Sequence, residues 1–143
     1  MGTGKKIVIG IISFFVLAAA GIYGLGVYFF SGHFLPNSSL NGRDVSYQSA
    51  EQVRQEFAQG VAEYVLTVNE LGGVHEKIKA SQIDLEYVED SSVDDLIGSQ
   101  NFWGWLLSVN KPKTYTAETI TAYSDKKLKK AVKKLDCFQD MQK

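Results

Sequence analysis

Two sets of side chains in this sequence have the chemistry to bind a ligand: a pair of tryptophans and a run of lysines. Trp103 and Trp105 flank Gly104, and the apolar faces of indole rings can stack on sugar rings. On a strand the two rings would share one face, whereas on a helix they would diverge by about 200°. Phe102 and two leucines border them. Such a cluster more often forms a hydrophobic core, so a glycan contact and a core role both remain open.

The lysines lie in the last predicted helix and could bind an anion. Lys126, Lys130 and Lys133 are the candidate contacts for an anionic polymer or a phospholipid headgroup, and such a contact weakens as salt is added. The same run is typical of a solvated helix face whose cations complement the C-terminal end of the helix dipole. Lys127, Lys129 and Lys134 complete the run.

No combination of residues predicts catalysis, a metal or a cofactor. Cys137 is the single cysteine, and a thiolate nucleophile needs a nearby base or positive field together with oxyanion donors. His33 and His75 lie far upstream of it and far from each other, which is not the ligand spacing of a zinc site. We therefore predict no catalytic residue and interpret Cys137 as a small packing residue.

These side chains follow a long apolar segment. Ile7–Phe30 contains 24 residues without a charge, and a helix of that length crosses a hydrocarbon core of about 30 Å. Lys5 and Lys6 precede it directly, and Arg43 is the first lysine or arginine after it. This asymmetry predicts a cytoplasmic N-terminus and an extracytoplasmic domain. A signal peptide cleaved at Ala18-Ala19-Ala20 is the alternative.

The composition beyond the apolar segment excludes one class of partner. All 16 acidic residues follow the segment and outnumber the lysines and arginines there, whereas nucleic-acid binding requires a basic excess. We expect a cytoplasmic N-terminus over residues 1–6, a transmembrane anchor over 7–30, a stalk over 31–37, a domain over 38–138 and a tail over 139–143.

The pattern beyond the anchor predicts an α+β domain in which helices pack on a mainly antiparallel sheet. Asn41-Gly42 predicts a tight turn, and Ser49 with Gln52 predicts a capped helix start. The β-rich ranges 64–70 and 74–80 predict a hairpin, and 83–88 and 114–123 predict further strands. Helices are predicted after Ser92 and from Ser124 to Leu135.

Several stretches resemble a bacterial cell-wall module. Phe34-Leu35-Pro36-Asn37-Ser38-Ser39-Leu40-Asn41-Gly42-Arg43-Asp44-Val45-Ser46, followed by Ser49-Ala50-Glu51, resembles the opening of the peptidoglycan-binding-type module found after the membrane anchor of many L,D-transpeptidases and in VanW-like proteins. Residues 81–87 and Leu135-Asp136-Cys137-Phe138 are similar to its later recurrent stretches.

The resemblance implies a single-pass bacterial membrane protein whose outer domain contacts or positions peptidoglycan. The catalytic Ser/Thr-His-Gly-Cys motif of those transpeptidases is missing from this sequence, so we expect no enzyme. The sequence stops where relatives continue, which predicts a truncated relative with low thermal stability or self-association. The alternative is a spacer or protein-docking domain that binds no glycan and holds a cell-wall enzyme above the membrane.

Overall fold

The computed structural model describes residues 2–69, 75–118 and 121–135. The helices and strands of these ranges are, in chain order, α1 (Thr3–Phe30), β1 (Ser38–Leu40), β2 (Arg43–Asp44), α2 (Ala50–Ala62), β3 (Val65–Asn69), β4 (His75–Lys79), β5 (Glu86–Tyr87), α3 (Ser92–Gly98), α4 (Trp105–Ser108), β6 (Lys113–Tyr115), β7 (Thr121–Ala122) and α5 (Asp125–Val132). The predicted α+β class is confirmed.

The chain divides into two compact units. The first comprises Met1–Ala50 and Asp94–Thr116, and the second comprises Glu51–Val93 and Ala117–Lys143. Each unit is therefore assembled from two separate segments of the sequence.

The N-terminal helix α1 is 28 residues long, about 42 Å at the usual rise per residue. Among the described residues it is the one helix long and apolar enough to cross a membrane. Its side chains are exposed from Thr3 to Ile22. A long apolar helix without protein around it is typical of a segment that contacts lipid.

The first unit contains a sheet of three strands in the order β2-β1-β6. Strands β1 and β2 pair antiparallel through a turn at Asn41 and Gly42, whose φ angles of 51° and 80° are both positive. Positive φ at both central residues is what a type I′ hairpin turn requires, and Asn-Gly is its favoured sequence. The predicted turn is confirmed. Strand β6 lies parallel to β1, with Ser39 opposite Thr114.

The core of the first unit includes the segment that we expected to be a stalk. Phe34 and Leu35 are buried. The Phe34 N–H donates to the Gln48 carbonyl at 2.9 Å, and its ring lies 5.7 Å from the ring of Tyr115. Residues 34–36 of this segment are therefore packed within the unit, because their apolar side chains are buried there.

The second unit contains two two-stranded sheets among its described residues. Strands β3 and β4 form the predicted hairpin, with Val65 opposite Lys79 and Asn69 opposite His75; its connecting turn at 70–74 lies outside the described residues. Strands β5 and β7 pair antiparallel. The helix predicted after Ser124 is α5, although it ends at Val132 rather than Leu135.

Two predicted strands differ from the structure. The strand expected over 83–88 is confined to β5, because Asp84 has a φ of 51°, and this left-handed conformation interrupts an extended chain. The strand expected over 114–123 is two strands in different sheets, β6 and β7. Over the described residues the strands therefore form three small sheets, in which one of the four strand pairings is parallel.

Candidate functional site

The second unit carries a groove between α5 and the 3₁₀ turn Ala80–Gln82. Its volume is about 300 Å³. The groove is lined by Ser81, Gln82, Lys127, Lys130, Ala131 and Lys134. We call this feature the basic groove, because lysines form half of these lining residues and none of the six is acidic.

Local structure explains why these lysines lie together. Helix α5 starts at a Ser124 N-cap, whose hydroxyl accepts from the Lys127 N–H at 3.4 Å. The Ser124 N–H donates to the Ile83 carbonyl at 2.8 Å, which ties the helix start to the chain just after the 3₁₀ turn. Lys127 and Lys130 are spaced i and i+3 on α5, so they share one helix face, and Lys134 lies two residues beyond the end of the helix. That face borders the groove.

A neighbouring acid sets the charge of the basic groove. The Lys127 Nζ lies 2.6 Å from one carboxylate oxygen of Asp84 and 2.7 Å from the other. This ion pair is partly exposed and contributes little to stability. It holds the Lys127 side chain beside Asp84, two residues after the 3₁₀ turn, and offsets its charge. Lys130 then adds a cation to the groove wall, and the groove suits a small anionic group.

The structure places the three predicted lysines differently. Lys130 lines the basic groove, whereas Lys126 and Lys133 are exposed residues of the same segment that are not among its lining residues. Sequence analysis missed Lys127 and Lys134 as groove residues. The sequence did contain a signal for them, because Lys127 and Lys134 lie four positions before and three positions after the half-buried Ala131.

A second groove, of about 220 Å³, shares part of this lining. Gln82, Ala131 and Lys134 line both, and β4 residues with Leu135 complete the second. The Gln82 side-chain oxygen accepts from the Lys79 N–H at 2.7 Å. The wall between the two grooves is therefore held by a hydrogen bond to the backbone.

The two tryptophans belong to the first unit, on helical turns rather than on a strand. Trp103 lies in the 3₁₀ turn Phe102–Gly104 and Trp105 begins α4, so their rings do not share a face. Trp105 is half-buried against α1, with its ring 5.5 Å from that of Phe30 and 6.5 Å from that of Tyr23. Trp105 is thus a packing residue of the helix pair.

The rest of the aromatic cluster does not form a core. Trp103, Leu106 and Leu107 are exposed. The Trp103 backbone is nevertheless fixed, because the Tyr23 hydroxyl donates to its carbonyl at 2.6 Å. Of the two roles that the sequence left open, packing applies to Trp105, whereas these three residues project from short helical turns and are exposed.

The segment that carries the family resemblance has a structural role in the first unit. Asn37 has a φ of 55°, and its amide donates to the carbonyls of Ser108 and Val109. The Ser46 N–H donates to the Asp44 carboxylate at 2.8 Å, and hydrogen bonds from Ser46 lower the pKa of Asp44. The hydrogen bonds of these residues are made with other residues of the first unit, so they stabilise its fold.

Within residues 2–69, 75–118 and 121–135, no group of three or more histidine, cysteine or acidic residues could hold a metal ion. Cys137, interpreted above as a packing residue, lies outside the described residues. Comparison with models of known protein families, with curated proteins and with solved structures gives no match.

Proposed function

We propose that this chain is a membrane-anchored, extracytoplasmic cell-wall module that contacts or positions peptidoglycan or an anionic wall polymer. The observation that carries the proposal is α1, a 28-residue helix whose apolar side chains are exposed over most of its length. Lys5 and Lys6 at its start favour a cytoplasmic N-terminus. The folded residues that follow α1 would then face outward.

The basic groove supports the choice of an anionic ligand. Lys130 supplies positive charge, and Ser81 and Gln82 of the same lining supply side-chain donors, for a phosphate or carboxylate group. Wall glycans and their attached polymers carry such groups. The resemblance of residues 34–46 to the wall-associated module of L,D-transpeptidases points the same way.

A co-sedimentation experiment tests the proposal with the full-length chain in detergent micelles. We expect it to pellet with purified cell-wall sacculi and to be released as salt is added, because ionic contacts are screened. An unrelated anchored domain of the same net charge is the control. Equal pelleting of both proteins would reject the proposal.

Crosslinking, combined with the co-sedimentation result, distinguishes this proposal from the alternative of a protein-docking spacer. Crosslinking in intact cells would then capture a protein partner while sacculi retain no chain. A cytosolic signal from a reporter fused to the C-terminus would reject both versions, because each requires the residues that follow α1 to be extracytoplasmic.

A further inference from the structure

We propose that residues 102–109 form a second membrane contact, with Trp103, Leu106 and Leu107 inserted into the outer interface of the bilayer that α1 spans. The ligand of this surface is lipid. The inference rests on the proposed placement of α1 in a membrane, and it adds a surface that the sequence did not assign to the membrane.

The first argument is exposure. Trp103, Leu106, Leu107 and Val109 expose 62%, 53%, 69% and 47% of their surfaces. These four large apolar residues lie within seven positions, and no charged residue occurs between Asp95 and Lys111. A contiguous exposed patch of this kind marks a contact with a membrane or another protein.

The second argument is attachment, since α1 holds this patch within the first unit. The Tyr23 hydroxyl donates to the Trp103 carbonyl at 2.6 Å, and the Trp105 ring packs against Gly26 of the helix. The patch therefore cannot leave the outer part of α1 without breaking these contacts. Wherever that part of α1 lies in the bilayer, the patch lies beside it.

The third argument is depth. About 20 apolar residues cross a hydrocarbon core of about 30 Å, so a span that starts at Ile7 reaches the outer interface close to Gly26. Tyr23 contacts Trp103 and Gly26 contacts Trp105 close to this level. Tryptophan and tyrosine are enriched at this level of the bilayer, where a ring can be partly apolar and partly hydrated.

The flanking charge favours lipid over a second copy of the chain. Lys111 and Lys113 follow the patch directly and are exposed. Lysines at the edge of an apolar patch can reach anionic headgroups while the apolar side chains enter the acyl boundary. The proposal thus commits to a bilayer, and association of two copies becomes an outcome of the test.

Single-tryptophan variants of the full-length protein test the proposal, because the chain has only two tryptophans. Trp105→Phe leaves Trp103 as the reporter and keeps an aromatic ring against α1. In vesicles of phosphatidylcholine and phosphatidylglycerol, we expect brominated acyl chains to remove most of the Trp103 emission, while aqueous acrylamide removes little. Quenching by acrylamide alone would overturn the proposal.

A matched reporter tests whether exposure alone explains the result. Tyr123 is 54% exposed, a fraction similar to the 62% of Trp103. Tyr123→Trp in a Trp103→Phe/Trp105→Phe background therefore places an indole of similar exposure at another position in the chain. We expect acrylamide to quench it and brominated lipid to leave it bright. Equal lipid quenching at both positions would overturn the assignment of a specific patch.

Two readouts separate failure of this inference from failure of the proposed function. Alkaline carbonate extraction reports on α1: release of the protein from vesicles would reject the anchor itself. If the protein is retained but acrylamide, and not brominated lipid, quenches the Trp103 emission, only the second contact is rejected. A blue-shifted Trp103 that brominated lipid does not quench would indicate burial by another copy of the chain, and would also overturn the proposal.

Discussion

The indole ring of Trp105 lies so close to the backbone of Gly26 that a β-carbon on residue 26 would come within 2.4 Å of the ring. This relationship requires glycine for steric reasons. The residue sits in a helix, where glycine is otherwise unfavourable. The contact joins α1 to α4, and it gives the first prediction.

We expect Gly26→Ala to displace Trp105 and to lower the free energy of unfolding of the first unit by about 1–3 kcal/mol, as overpacking does elsewhere. Gly24→Ala is the matched control, because nothing lies within 4 Å of a β-carbon there. Thermal unfolding followed by tryptophan fluorescence in detergent measures both. Equal melting of the two variants would contradict the contact.

The basic groove predicts which lysine matters for binding. Lys130→Gln removes a charge from the groove lining and should weaken binding of the full-length chain to sacculi about two- to fivefold, the usual effect of one exposed ionic contact. Lys126→Gln makes the same charge change on the same helix, outside the lining, and should have little effect. A larger loss with Lys126→Gln would argue against the groove.

Asp84 predicts the opposite change. Asp84→Asn removes the charge that offsets Lys127, and asparagine tolerates the left-handed backbone at this position. We therefore expect stronger anion binding in the sacculus assay, with a stability change of no more than about 1 kcal/mol.

Asp125→Asn provides the comparison for that variant. Asp125 pairs with Lys129 at 2.6 Å, and neither residue lines the basic groove. Its loss should leave binding near the level of the unmodified chain. Binding that rises equally in both variants would mean that overall charge, rather than the groove, controls the interaction.

The partly buried hydroxyl of Tyr115 leads us to expect that the folded state loses stability at alkaline pH. Burial raises the pKa of Tyr115 above its ordinary value of 10.0, and its hydroxyl donates to the Gln100 side-chain oxygen at 3.3 Å. The folded state therefore favours the neutral phenol. This contribution is complete below the pKa of an unfolded tyrosine and is lost as pH rises through the folded-state pKa.

Tyr115→Phe should consequently flatten the fall of melting temperature above pH 10. Tyr123→Phe, at an exposed position, should leave that fall unchanged. Melting curves recorded at a series of alkaline pH values make the comparison. Parallel curves for Tyr115→Phe and the unmodified chain would contradict the role assigned to burial.

Elements whose signals are local were predictable from the sequence. Asn41-Gly42 specifies its turn through backbone conformation alone, and Ser124 specifies the start of α5 through its own side chain. The hairpin of β3 and β4 follows from two neighbouring β-rich segments. None of these predictions needs knowledge of a distant residue.

The remaining features depend on distant partners. Strand β6 ends at Tyr115 and pairs with β1, far earlier in the sequence, so periodicity could not show that 114–123 would divide. Asp84 breaks the strand expected over 83–88 through a backbone angle that its residue type permits but does not require. The candidate lysines were chosen by composition, whereas groove lining depends on the 3₁₀ turn facing α5.

The packing of residues 31–37 limits how far the part of the first unit that follows α1 can move from this helix. A free segment of seven residues could extend about 25 Å. Here Phe34 and Leu35 are buried, so the segment cannot extend to that length while the unit is folded. With α1 in a bilayer, the part of the first unit that follows α1 would lie directly at the membrane surface. Any wall strand or protein that touches it would have to approach the lipid to do so.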